Sequence, residues 1–230
     1  MNPTAPEDEI RSAYERDPSW AEAEYGAQFR TDLEAFVSRE VVEDCVAPGL
    51  HELPPAPGLA YVAFVDPSGG SGDSFTLAIA HAEGQRGILD AVRERRPPFS
   101  PESVTKEFSD LCLQSGVHKV TGDKYAGLWP QERFAQHGIQ YQTAERSKSE
   151  LYVEFLPLLN SQRVQLLDHP LAVNQLCSLE RRTGRGTGRD IVDHPPKAHD
   201  DIANVIAGVL TMVAGGDERS TIVRRYLMRV

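Results

Sequence analysis

Apolar and polar positions change rhythm along the chain, and each change predicts an element. Tyr61, Val62, Ala63, Phe64 and Val65 form an unbroken apolar run rich in aromatic and β-branched side chains, which predicts a strand buried on both faces. The run ends at Asp66 and passes into a Gly/Ser-rich loop over 67–74. Residues 75–81 and 87–92 read as second and third strands, with Arg93 to Arg96 at the exposed end of the third. Their short connections predict an antiparallel meander. Ser100-Pro101-Glu102 starts a helix, with a cap, a proline in the first turn and an acid near the positive end of the dipole. Val104, Phe108, Leu111 and Cys112 supply its buried stripe up to Gly116. A fourth strand over 117–121 ends in Gly122-Asp123, a short helix spans 130–137, and Ile139, Tyr141 and Thr143 alternate as a fifth strand. Ser147 and Glu150 have capping-box spacing ahead of a helix whose core face is Leu151, Phe155, Leu156 and Leu159. Residues 164–167 read as a short strand, 170–182 as a helix and 183–189 as a basic Gly-rich loop. The last helix, 199–214, sets Ile202, Val205, Ile206, Val209 and Val213 on one side. Three strands followed by alternating helices and strands predict a mixed α/β sheet with helices on its faces.

Ahead of the first strand the rhythm is helical from about Asp17 to Val46, where Trp20, Tyr25, Phe29, Leu33 and Phe36-Val37 recur every three to four residues. Residues 47–60 then carry four prolines and two glycines and read as a linker. The formal charge of −10 is concentrated in this leader: residues 1–60 hold 4 Lys/Arg against 13 Asp/Glu, and the remainder 20 against 21. The near-neutral remainder is compatible with a phosphate backbone as substrate. Cys45, Cys112 and Cys177 have no paired spacing, so neither a zinc site nor a disulfide framework is indicated, as suits a reducing cytoplasm. No apolar run reaches the length of a membrane span.

Candidate chemistry lies at the ends of the apolar runs. Asp66 closes the first strand, Asp123 the fourth, and Asp200-Asp201 opens the last helix. Each has an ordinary reading as a turn residue or a helix N-terminal charge. If the fourth strand pairs beside the first, however, the aspartates emerge at one edge. Carboxylates converging without basic partners repel one another unless a cation neutralises them, and oxygen-only ligands favour Mg²⁺ or Mn²⁺. Two such ions suit hydrolysis of a phosphodiester. Helical spacing puts Asp201 in line with Asn204, Val205 and Gly208 near the buried stripe and predicts that Asp200 is rotated toward solvent. Asp73 is favoured as a turn residue.

The stretches VAFVDPSGGSGDSFTLAIAH, the Asp123 strand and RDIVDHPPKAHDDIANVIAG resemble the nuclease domain of phage terminase large subunits, over roughly 58–216. SWAEAEYGAQFRTDLEAFVSREVVEDCV resembles the segment that joins the terminase ATPase to its nuclease. The resemblance implies a ribonuclease H-like fold with a mixed five-stranded sheet, its first three strands antiparallel. It divides the chain into a leader and linker (1–57), a nuclease domain (58–216) and a basic C-terminal tail (217–230). It implies two divalent cations, Mg²⁺ or Mn²⁺, held by Asp66, Asp123 and Asp201, with Asp200 as a fourth or supporting carboxylate. The implied substrate is concatemeric viral double-stranded DNA, with portal protein and small terminase subunit as packaging partners in the cytoplasm of the infected host. GRGTGRD at 184–190 lacks the Lys-Ser/Thr ending of a phosphate-binding loop, so the ATPase motor is expected to be absent from this chain.

Lys148 reads either as a phosphate contact near a helix start or as a solvated lysine. Arg185 and Arg189 read either as a grip on DNA or as parts of an ordinary surface loop. His199 reads as a support for Asp201 or a phosphate, or as a helix cap. The tail, with Arg224, Arg225, Tyr226, Leu227, Met228 and Arg229, suits docking to another packaging component. The rival functional reading is a module of the same fold that docks DNA or portal without cutting.

Overall fold

The apolar run 61–65 lies at the interior of a sheet. In the computed structural model, which describes residues 33–123, 129–183, 190–196 and 198–214, Ala63, Phe64 and Val65 are all but inaccessible to solvent. The chain begins with β1 (Leu33–Ala35), α1 (Arg39–Glu43) and β2 (Val46–Ala47). The meander follows as β3 (Tyr61–Asp66), β4 (Phe75–Glu83) and β5 (Arg86–Arg95). Next come α2 (Pro101–Gln114), β6 (Lys119–Gly122), α3 (Trp129–Gln136), β7 (Gln140–Thr143) and α4 (Lys148–Asn160). The chain continues through β8 (Val164–Leu167), α5 (Pro170–Ser178), β9 (Glu180–Thr183), β10 (Asp190–Asp193) and α6 (Asp201–Ala214).

β3, β4 and β5 pair antiparallel, and β6 returns through α2 to lie parallel beside β3, with β7 parallel beside β6. These are the five strands of the expected sheet. The sheet nevertheless has seven, in the order β2-β8-β5-β4-β3-β6-β7. β8 adds to β5 through Gly87↔Val164 and Ile88↔Gln165, and β2 adds to β8 through Val46↔Leu166 and Ala47↔Leu167. The pattern reads β8 as a short strand without placing it in the sheet, and β2, two residues long, leaves no alternation in the sequence to read.

Alternation along β3 divides the interior into two cores. Phe64 faces α4, α5 and α6, whereas Ala63 and Val65 face α2 and α3. Gly208 lets α6 press onto the sheet, because a Cβ there would lie 2.6 Å from the Phe64 ring. The predicted caps of α2 and α4 are present, including the reciprocal box between Ser147 and Glu150.

Two helical expectations are corrected. The helix predicted over 170–182 stops at Ser178, where Leu179 turns extended (φ −63°, ψ 137°) and the chain enters β9. β9 pairs antiparallel with β1 and β10 in a separate three-stranded sheet. Within the predicted leader helix, residues 33–46 form β1, α1 and the start of β2; Phe36 and Val37 are buried beside α4 and α5. The rest of that helix lies outside the described residues, as do Arg185, Arg189 and the tail. Cys45, Cys112 and Cys177 are free thiols. No helix among the described residues is long and apolar enough to cross a membrane.

Candidate metal centre

The parallel register of β3 and β6 carries their last residues to one point. Val65 stands opposite Gly122, and the amide of the next residue, Asp123, donates to the Val65 carbonyl at 3.1 Å. Asp66 and Asp123 therefore leave neighbouring strands at the same edge. α6 supplies the other half of the site. Its N-terminus is tied to β4 by the Thr76 hydroxyl, which donates to the Asp201 carbonyl at 3.0 Å. The Gln175 side-chain oxygen accepts from the amides of Ile202 (2.9 Å) and Ala203 (3.0 Å), two donors that the helix itself leaves unpaired.

One turn into α6, the amide nitrogen of the fully buried Asn204 donates to Asp66 Oδ2 at 2.8 Å and to Asp123 Oδ2 at 3.2 Å. This side chain joins the two strand-end carboxylates to the helix that carries Asp201. The three aspartates open into a cleft of about 600 Å³, also lined by Trp129, His194 and His199.

The site holds more negative charge than its surroundings offset. Burial pushes the Asp66 carboxyl up to about 7; the Asn204 amide pulls it down, and the charges of Asp123, Asp201 and Asp200 push it up again. Asp201 is pushed up to about 6, by burial first and then by the charge of Asp200. Two buried oxygens, Asp201 Oδ2 and Asn204 Oδ1, make no hydrogen bond among the described residues. Carboxylate and amide oxygens with unused lone pairs, in a pocket that penalises their charge, form a hard donor set suited to Mg²⁺ or Mn²⁺.

Asp200 departs from expectation. It is 5% exposed rather than turned to solvent, and its Oδ2 accepts from the Tyr152 hydroxyl at 2.8 Å. The physical reason is that Asp200 precedes the first turn of α6, so helical spacing does not govern its direction; its carbonyl instead accepts the Asn204 backbone N–H at 2.8 Å. Lys148, at the start of α4, approaches Asp193 Oδ1 at 2.9 Å and Asp200 Oδ2 at 3.0 Å, so its ammonium faces carboxylates. Burial would lower the Lys148 pKa, but Asp200 and Asp193 outweigh it and the net shift is upward. Burial likewise favours the neutral form of Asp193, and its hydrogen bond and charge contact with Lys148 outweigh that, holding the carboxyl below its ordinary value.

His199 is largely exposed, its Nδ1 3.8 Å from Asp201 Oδ2. Asp73 lies on the cleft wall, and its carbonyl accepts from Ser68 within the loop after β3. Sequence reasoning placed Asn204 near Asp201 without giving it a role, and it missed Tyr152, Gln175, Asp193 and His194. Only Asp193 and His194 carried a signal, as polar residues directly after the apolar pair Ile191-Val192.

No family model matches the chain, and no curated protein matches it in sequence. Solved structures match it in fold. The large terminase nuclease from thermophilic phage G20c with bound magnesium superposes with a TM-score of 0.60 at 16% identity, over 71% of this chain and 93% of that one. The nuclease domain of the large terminase subunit gp2 of bacterial virus Sf6, as a K428A mutant with manganese and beta-thujaplicinol, gives 0.61 at 11% identity, over 77% and 98%. The HK97 bacteriophage large terminase gives 0.62 at 13% identity over 93% of this chain, which spans about half (52%) of that protein. At these identities the likeness is one of fold: a mixed α/β sheet with helices on its faces, as in phage large terminase nuclease domains.

Proposed function

We propose that this chain is a metal-dependent endonuclease that cuts concatemeric viral double-stranded DNA during genome packaging, by two-metal hydrolysis of a phosphodiester. The observation that carries the reading is the joining of Asp66 and Asp123, from two parallel strands, by the Asn204 amide of a helix whose Asp201 lines the same open cleft. The fold shared with terminase nucleases, some of them solved with magnesium or manganese, supports it.

Asp66, Asp123 and Asp201 would hold the cations. When bound, these supply the positive charge that lowers the pKa of water and offsets charge on the phosphodiester. The chain's own contribution is orientation. Asn204 fixes the directions of Asp66 and Asp123, and Thr76 and Gln175 set the position from which Asp201 enters. Asp201 sits at the positive end of the α6 dipole, which favours its ionised form against the burial that opposes it. Asp200, with both Lys148 and Tyr152 bound to it, supports the helix start rather than acting as a ligand. Portal protein and small terminase subunit are the partners this role calls for, in the cytoplasm of an infected host.

Incubating the chain with supercoiled plasmid and Mn²⁺, Mg²⁺ or EDTA, beside the Asp66→Asn protein, tests the proposal. Metal-dependent nicking and linearisation that vanish in the variant are expected. Absence of cleavage with either metal would refute nuclease activity of this chain and favour a module that docks DNA or portal.

A further inference from the structure

Beside the three aspartates lies a second charged cluster with a different arrangement. Asp193 at the end of β10, His194 and Asp200 each offer one ligand atom, and these atoms lie within 4.8 Å of one another. Two carboxylates and an imidazole so placed make the donor set of a transition-metal site. The imidazole is oriented for that role. Its Nδ1 lies 2.8 Å from the Pro195 carbonyl, which only accepts, so Nδ1 carries the hydrogen and the neutral ring keeps its lone pair on Nε2. That Nε2 is 3.9 Å from Asp193 Oδ1 and 3.8 Å from Asp200 Oδ1, too far for hydrogen bonds.

The carboxylates of this cluster are already bridged by a cation that belongs to the protein. Lys148 Nζ stands 2.9 Å from Asp193 Oδ1, and 3.2 and 3.0 Å from the two oxygens of Asp200. The capping box between Ser147 and Glu150 fixes the first turn of α4 from which this side chain extends. The Tyr152 hydroxyl, one turn on, holds Asp200 from the same helix.

Resting on the reading of Asp66, Asp123 and Asp201 as the cation ligands, we propose that Lys148 is a positioning residue that keeps a third cation position closed. Its tethered ammonium stands between Asp193 and Asp200 where a metal ion would stand, and so confines divalent cations to the three aspartates. Without that ammonium, Asp193 and Asp200 repel each other and are open to an ion. His194 adds a nitrogen donor, which favours Mn²⁺, Co²⁺ or Zn²⁺ over Mg²⁺.

The test adds Mn²⁺ to the full chain, counts bound ions by electron paramagnetic resonance, and reads imidazole coordination from the nitrogen modulation of the electron spin echo. Lys148→Met is expected to gain an additional Mn²⁺ with nitrogen modulation, which disappears when His194→Ala is added; Lys148→Arg is expected to match the unaltered chain. Failure of Lys148→Met to gain an ion would overturn the proposal, as would His194 nitrogen modulation in the unaltered chain. Should Lys148→Met not fold, His194→Ala alone decides: an unchanged Mn²⁺ count supports a closed position, and loss of an ion overturns it. Asp66→Asn separates this inference from the nuclease reading. If it leaves the Mn²⁺ count unchanged while Lys148→Met gains a His-bound ion, the assignment of the three aspartates fails and the closure by Lys148 stands.

Discussion

Replacing Asp66 with asparagine should stabilise the metal-free protein, increasingly as the pH rises from about 4 through 7. The Asp66 carboxyl titrates near 7 in the fold against an ordinary value of 3.8, so the native state favours the protonated form. Stability associated with that proton is fully present below about pH 4 and is lost as the pH rises through 7. A shift of that size corresponds to about 4 kcal/mol at about 1.4 kcal/mol per pH unit. Because the carboxylate lines a cleft open to solvent, roughly half of that, about 2 kcal/mol, is the expected effect after solvent screening. Asparagine has nearly the same shape as the protonated acid and keeps an oxygen for the Asn204 amide. In EDTA at pH 8, Asp66→Asn should therefore melt about 4–8 °C above the unaltered chain, at about 2–4 °C per kcal/mol for a chain of this size. Below about pH 4, where both states carry the proton, the two should melt together, and at pH 5 the difference should be roughly a third of that at pH 8. Millimolar Mg²⁺ should raise the melting temperature of the unaltered chain by mass action and should act less on the variant. Thermal melts at both pH values, with and without Mg²⁺, make the comparison. A variant less stable than the unaltered chain at pH 8, or a difference that is the same at both pH values, would refute the claim that the site is overcharged without a cation.

Three further substitutions probe how the site is held. Asn204→Ala removes both hydrogen bonds that join Asp66 to Asp123, and at about 1.5–3 kcal/mol for a bond to a charged group it should weaken Mn²⁺ binding in calorimetry at least tenfold; unaltered affinity would mean that the carboxylates are oriented without it. Gly208→Ala places a Cβ 2.6 Å from the Phe64 ring and should cost about 1–3 kcal/mol in urea denaturation, despite the better helix propensity of alanine. Gln175→Leu strips the buried amides of Ile202 and Ala203 of their acceptor and should cost about 2–4 kcal/mol; a loss below about 0.5 kcal/mol would show that other groups satisfy the α6 N-terminus.

The parts of the fold that could be read in the sequence are those whose burial pattern repeats. β3, β4 and β5 are long enough to show apolar runs, and α2 and α4 announce themselves by Ser100 and Ser147 at their caps. β8 was legible as a short strand at Val164–Leu167 but its place in the sheet was not, and β2 was not legible at all; both join through ladders of two residue pairs, so the extra width of the sheet follows from tertiary contact. β9 is harder still, because Glu180, Arg181, Arg182 and Thr183 are polar residues paired into a small sheet. Nothing in their order separates them from the last turn of the helix before them.

The site divides along the same line. That Asp66 and Asp123 emerge at one edge was legible because a carboxylate directly after a buried strand contradicts its surroundings, and the parallel pairing of β3 and β6 then follows from the crossover through α2. Asp200 was misplaced because helical periodicity was carried one residue past the point where the helix begins. That single residue matters: inside the helix, Asp201 lines the cleft shared with the strand-end carboxylates and keeps a buried oxygen that makes no hydrogen bond among the described residues, and just outside it, Asp200 is drawn to the lysine and tyrosine of α4. Adjacent aspartates thus have opposite surroundings, one with a buried oxygen that makes no hydrogen bond among the described residues and one already paired with a lysine and a tyrosine. Their difference arises from where α6 starts, a boundary set by side chains from two other helices, Gln175 on α5 and Tyr152 on α4. No local reading of the two aspartates in sequence could have separated them, because the groups that do so lie 25 or more residues away along the chain.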